Sequence, residues 1–251
     1  MERKQLKVLG YNVDLFSFED SINYTKYLLE SEYSVHVITI NPEIIEYSLK
    51  NEDFSSIIHK AELVIPDGMG IKLALWLNGV NQQRIPGIEY SKKMLEICAK
   101  NNFPVAFLGS KKNVIEKAVE NIKNEIPNIN IVYSRDGFFQ SEEEAQIINE
   151  IKESGARFIL AALGSPKQEF FIDSARSVIK NAVWVGVGGS FDVWSGVVKR
   201  APVIYRKIGL EWLYRMIDNP KRISRIFPTL PIFLYRVIIN RLFPLKKKEN
   251  E

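Results

Sequence analysis

Apolar residues come in short runs along this chain, and each run ends at a polar or glycine-containing outlet before a mixed stretch begins. Val35-His36-Val37-Ile38-Thr39-Ile40 is apolar and β-branched, a pattern suited to a strand buried on both faces. It ends at Asn41-Pro42, and Pro42 suits the first turn of a helix continuing to Lys50. Leu63-Val64-Ile65 ends at Pro66-Asp67-Gly68-Met69-Gly70, and Ile71 to Leu77 then reads as a helix. The spacing predicts further strands at Pro104–Leu108, Ile129–Tyr133, Arg157–Leu163 and Ala182–Val187. Helices are predicted at Ser17–Leu29, 54–60, Tyr90–Lys100, 111–125, Glu142–Ser154 and 166–179. Lys7 to Asp14 reads as one strand running into a loop. Strand and helix alternate over short links, which predicts an α/β fold: a mainly parallel, Rossmann-like sheet with helices on both faces. The pattern stops near residue 195. Residues 196–251 hold no convincing strand and read as helices separated at Pro220, Pro228 and Pro231. We therefore expect an α/β core over 1–195 and a basic helical appendage over 196–251 that associates with a membrane.

Composition narrows the class. With 251 residues, 46% hydrophobic and 25% charged, the chain can bury a sizeable core. The single cysteine, Cys98, excludes an internal disulfide and sits in an apolar helical pattern that suggests a buried thiol. His36 lies in a strand-like run, where a satisfied structural histidine is expected rather than a ligand. The N-terminus has no apolar core of a signal peptide, so a cytoplasmic location is expected. The net charge of +4 conceals an asymmetry. From residue 196 onward there are 13 Lys and Arg against 4 Asp and Glu; the first 195 residues hold 21 against 26. A basic tail on an acidic body points to an anionic partner: phospholipid, nucleic acid or a pyrophosphate-bearing substrate.

Chemistry collects at the outlets. In open α/β sheets ligands sit beyond the carboxyl ends of strands, where Thr39, Asn41 and Asp67 all fall. Asp67 could serve there as a catalytic carboxylate, or it could simply cap the following helix. Gly109-Ser110, Gly164-Ser165 and Gly188-Gly189-Ser190 are small-residue outlets, and backbone amides at helix N-termini suit phosphate. The chain has no phosphate-loop lysine motif, and Gly186-Val187-Gly188-Gly189 lacks the spacing of a dinucleotide fingerprint. There is no Asp-x-Asp and no acid or histidine cluster at metal-ligand spacing, so neither metal nor cofactor is expected. Basic side chains are the alternative counter-charge for a departing diphosphate. In the tail, apolar runs are interrupted by Arg236 and Arg241 and fall short of the ~20 residues that span a bilayer. They read as an interfacial helix on an anionic leaflet, reinforced by Lys246-Lys247-Lys248; the plainer alternative is an amphipathic helix packed on the body.

Several of these stretches together resemble the WecG/TagA/CpsF family of bacterial glycosyltransferases. The match rests on Thr39-Ile40-Asn41-Pro42, Pro66-Asp67-Gly68-Met69-Gly70, Arg84-Ile85-Pro86-Gly87 and Gly164-Ser165-Pro166-Lys167-Gln168-Glu169. It continues through Gly188-Gly189-Ser190-Phe191-Asp192, Arg200-Ala201-Pro202 and Gly209-Leu210-Glu211-Trp212 with Arg215. The resemblance implies the GT-E fold and an inverting, metal-independent transferase. It is closest to the branch acting in wall teichoic acid linkage-unit synthesis. That reaction moves N-acetylmannosamine from its UDP-sugar to undecaprenyl-diphosphate-linked N-acetylglucosamine, forming a β-1,4 bond.

Carried over by motif, Asp67 is implied as the general base, and Thr39, Asn41 and Gln168 as groups holding sugar and acceptor. Arg215, Arg222 and Arg225 are implied to close over the donor's diphosphate. Arg84, Gly109, Gly164, Glu169, Gly188, Gly189 and Asp192 complete the expected substrate site. The implied partners are a UDP-sugar, the undecaprenyl-diphosphate-linked acceptor and the inner leaflet, where the chain would be peripheral; no nucleic acid is expected. Off the membrane the apolar tail could drive self-association. Two other donors within the family, UDP-N-acetylmannosaminuronate and UDP-glucose, stay open. So do an oxidoreductase and a non-enzymatic membrane adaptor.

Overall fold

The computed structural model describes residues 3–207, 214 and 223–243. Within them the chain opens with a hairpin, β1 (Gln5–Val8) and β2 (Tyr11–Asp14), paired antiparallel. The sequence pattern suggested one strand here. Leu9 and Gly10 both take positive φ, 49° and 95°, and turn the chain back on itself, as two-residue hairpin turns require.

The remaining strands form a six-stranded parallel sheet: β3 (Val35–Ile40), β4 (Leu63–Pro66), β5 (Val105–Gly109), β6 (Ile131–Arg135), β7 (Phe158–Ala162) and β8 (Val183–Gly186). Their spatial order is β4-β3-β8-β7-β5-β6. The connecting helices are α1 (Phe18–Glu30), α2 (Pro42–Ser48), α3 (Glu52–Lys60), α4 (Gly68–Leu77), α5 (Gly87–Lys100) and α6 (Lys112–Glu125), followed by α7 (Glu144–Glu153), α8 (Lys167–Val178) and α9 (Ser190–Trp194). Short polar side chains start several of them: Ser17, Asn41 and Asn51 each accept from the backbone N–H three residues on, which satisfies an otherwise orphaned donor.

Alternate residues of each strand enter different cores. Val37, Leu63, Phe107, Leu160 and Val185 pack with residues of α1, α5, α6 and α9. Ile38, Ile40 and Val64 pack on the opposite face with α2, α3, α4 and the hairpin, and Ala106, Ile159 and Trp184 pack there with α7 and α8. This is the fold expected from the pattern, a Rossmann-like sheet covered on both sides. The free edge of β4 is covered at one point by Asp14, whose carboxylate accepts from the Val64 backbone N–H at 2.8 Å. Asp14 is fully buried and also accepts from Arg3 and Gln5.

Beyond the core lie α10 (Val203–Lys207) and α11 (Ile223–Leu242). The expected breaks at Pro228 and Pro231 do not occur, because α11 runs through both. Proline deletes a backbone donor and crowds the preceding turn, and tertiary packing offsets that cost here. Phe233 and Val237 of α11 are buried against the core under α2 and α4. Arg236 forms an ion pair with the buried Glu46 of α2 at 3.2 Å. Residue 220 lies outside the described residues. No described helix is long and apolar enough to cross a membrane.

Candidate active site

The outlets of β3, β4, β5, β7 and β8, with the loop after β6, converge on one cavity of about 980 Å³. Thr39, Asn41, Asp67, Arg84, Gly164, Gln168, Gly188, Gly189 and Asp192 all line it. Two expected residues do not. Gly109 lies behind the wall, and a Cβ there would come within 2.4 Å of the Ala162 carbonyl oxygen. Its missing side chain lets β5 and β7 close up, while Ser110 and Lys111 reach the cavity. Glu169 is also set back, 2% exposed. Burial raises its pKa, and one of its oxygens accepts from Gln168 at 2.9 Å. Arg215 and Arg222 fall outside the described residues, as does the side chain of Arg225.

Asp67 occupies the position before the first turn of α4, yet its side chain makes no capping bond there. One carboxylate oxygen instead accepts from the Gly87 backbone N–H at 3.3 Å. Its backbone is held by donation to the Ile40 carbonyl at 2.9 Å, so β3 fixes where the acid stands. The Arg84–Gly87 loop folds back over β4, with Ile85 donating to the Pro66 carbonyl at 2.7 Å. Thr39 meets the same loop, since a Cβ on Gly87 would lie 3.2 Å from the Thr39 hydroxyl oxygen. Gly87 therefore brings Thr39 and Asp67 to one spot. Asn41 has a structural task as well, accepting from Ile44 as the cap of α2 at 3.0 Å.

Gln168 crosses beneath the β8 outlet. Its amide oxygen accepts from the Gly188 backbone N–H at 3.2 Å and its amide nitrogen donates to Glu169. A side chain at Gly186 would stand 2.4 Å from that nitrogen. The far end of the cavity joins Ser110, which donates to Asp192 at 3.1 Å, to the aromatic pair Phe138 and Phe139. Lys167 lies over the Phe139 ring, 4.4 Å from its centroid, a cation–π arrangement. Lys111, Lys167 and Phe138 were not singled out from the sequence. Lys167 sits inside the Gly164–Glu169 motif, but lysines and aromatics at strand outlets carry no distinctive spacing. Among the described residues no group of three or more His, Cys, Asp or Glu is gathered for a metal ion.

A concave site spread over the carboxyl edge of a parallel sheet, lined by Glu43, Asp67 and Asp192 together with Lys111, Lys167 and Arg84, defines an α/β enzyme whose substrate binds beyond the strand ends. The profile of the Glycosyl transferase WecG/TagA/CpsF family matches residues 6–247. A protein of Bacillus spizizenii is 33% identical over 240 residues, covering 95% of this chain and 91% of its own length. One from Bacillus subtilis is 35% identical over 228 residues, covering 90% and 87%. One from Staphylococcus aureus is 32% identical over 236 residues, covering 93% and 92%. All three carry the name N-acetylglucosaminyldiphosphoundecaprenol N-acetyl-beta-D-mannosaminyltransferase. The chain belongs to the WecG/TagA/CpsF family and is a glycosyltransferase.

Proposed function

We propose that this chain transfers N-acetylmannosamine from UDP-N-acetylmannosamine to the 4-hydroxyl of undecaprenyl-diphosphate-linked N-acetylglucosamine, inverting the anomeric carbon. This is the linkage-unit step of wall teichoic acid synthesis. The observation that carries the reading is Asp67, a carboxylate at a helix start that leaves the helix uncapped and faces the cavity beside Thr39. The shared name of the relatives supports the choice of donor and acceptor sugars.

In this mechanism the acceptor hydroxyl attacks the anomeric carbon from the face opposite the diphosphate. Asp67 accepts the proton as the new C–O bond forms and the bond to the diphosphate breaks. Gly87 N–H and Thr39 hold the acid and the sugar in register, and Gln168 shapes the neighbouring wall by fixing the Gly186–Gly188 turn. Negative charge grows on the departing UDP. Lys111, Lys167 and Arg84 stand on the cavity wall to receive it, with Arg215, Arg222 and Arg225 completing the cationic set when the appendage closes. Closure over the site would also keep water from the donor until the acceptor is in place. The chain would act as a peripheral protein of the inner leaflet, where its acceptor resides.

Asp67→Asn tests the reading. It keeps the shape and removes the base, so transfer should fall by roughly 10²–10⁴-fold, the range general-base catalysis supplies. Affinity for UDP, measured by titration calorimetry, should be unchanged. Undiminished turnover would remove Asp67 from the chemistry.

A further inference from the structure

An apolar stripe starts inside the cavity and leaves it along α4. Met69, in the first turn, lines the cavity wall. Leu73 and Trp76 follow four and seven residues later, on the same side of the helix. They are 37% and 61% exposed. The buried side of α4, formed by Gly70, Ile71, Ala74 and Leu75, already serves the core, so packing among the described residues does not account for the outer stripe. The helix is apolar around most of its circumference, which is unusual for one at a water-facing surface.

α11 lies beside it. A Cβ on Gly70 would sit 3.0 Å from a Leu230 methyl, and Leu230, like Met69, lines the cavity. α11 leaves Ile232, Tyr235, Ile238 and Leu242 exposed. Over both helices there is no Asp or Glu; α4 carries Lys72, and α11 carries Arg225, Arg241 and Arg236, the last paired with Glu46 of α2. An anionic leaflet would meet no opposing carboxylate on either element.

We propose that the Met69–Leu73–Trp76 stripe is the track along which the polyprenyl chain of the acceptor leaves the cavity for the bilayer. The α/β core itself, through α4, is then part of the membrane-facing surface. The inference rests on the lipid-diphosphate acceptor reading given above. Such an acceptor must bring its sugar hydroxyl to Asp67 while its hydrocarbon stays out of water, since each methylene left exposed weakens binding. An apolar path that begins on the cavity wall meets that requirement. A second copy of the chain seated on the stripe would instead cover the cavity's own exit.

The test is the double variant Leu73→Glu/Trp76→Glu in the full chain, with Tyr33→Glu as a control. Tyr33 is 77% exposed and precedes β3, at the sheet edge opposite the cavity. Transfer is measured to undecaprenyl-diphosphate-linked N-acetylglucosamine in vesicles and to an analogue with a short, water-soluble chain. KM for the long acceptor should rise at least about tenfold, with kcat, KM for UDP-N-acetylmannosamine and the short-acceptor kinetics within about twofold of wild type. Tyr33→Glu should behave as wild type. Unchanged KM for the long acceptor would overturn the track, and so would equal losses on both acceptors. A wild-type dimer that the double variant splits, with long-acceptor KM unchanged, would assign the stripe to a second copy and also overturn it. A wild-type chain that uses neither acceptor would overturn the acceptor reading itself, and the track with it.

Discussion

Position 186 has no room for a side chain, and that single fact locates Gln168. The glutamine spans the space in which a Cβ would stand and fixes the Gly188 amide from below. Residues of this kind carry the site without marking themselves in the sequence. Thr39 and Asp67 likewise meet only because Gly87 admits them both. His36 shows the opposite case, a polar group buried away from the chemistry. It is 1% exposed on β3 and neither ring nitrogen has a hydrogen-bond partner among the described residues, so it is buried as expected but not satisfied by hydrogen bonding there. Burial, aided by Arg176, lowers its pKa from 6.5 to about 3. The unfolded chain takes up this proton as pH falls through 6.5, whereas the native chain refuses it until about 3. The unfolded state therefore binds more protons in that window, and stability contributed by neutral His36 is full above 6.5 and lost on acidification towards 3. His36→Val should flatten the pH dependence between those limits, measured as the difference in urea midpoint from wild type at neutral and mildly acidic pH.

Among the elements, α11 decides most. A basic, aromatic-rich stretch could be read either as an interfacial helix or as a helix packed on the body, and the structure shows one face of it packed on the body. Phe233 and Val237 enter the core under α2 and α4, while Tyr235, Leu242 and Phe243 stay exposed. Two prolines interrupt its hydrogen-bonding ladder, so packing rather than helical propensity must hold it. Phe233→Ala should thus cost roughly 3–5 kcal/mol, as for other buried aromatics, and lower the thermal midpoint of the full chain. A change under ~1 kcal/mol would mean that α11 docks weakly in solution. The same packing gives the appendage a part in stabilising the body, because its removal would uncover Ile44, Ile45, Ile71 and Leu75.

For the whole molecule, charge is divided unevenly along the chain. Basic residues are concentrated in the chain's last 56 residues, which hold 13 Lys and Arg against 4 Asp and Glu. Each cation near an anionic leaflet contributes about 1 kcal/mol, and exposed charges are screened by salt. Co-sedimentation with vesicles rich in anionic lipid should therefore be strong at ~0.05 M salt and much weaker at ~0.5 M. Equal binding to neutral vesicles would assign the attachment to apolar contacts alone.

Hydrophobic patterning alone specifies the parallel α/β sheet, the boundaries of its strands to within a few residues, and the outlets that line the cavity. It could do so because a strand buried on both faces must be apolar along its length, while an outlet needs polar or glycine residues. The sequence also supplied the motif set that identifies the family. It did not determine the Leu9–Gly10 turn, because nothing in eight mixed residues separates one strand from two. Nor did it show that Glu169 and Gly109 sit behind the cavity wall, that α11 continues through its prolines, or that Asp67 declines its helix cap for Gly87. Those were decided by tertiary structure, since each depends on groups distant in the chain that only the folded packing brings within reach.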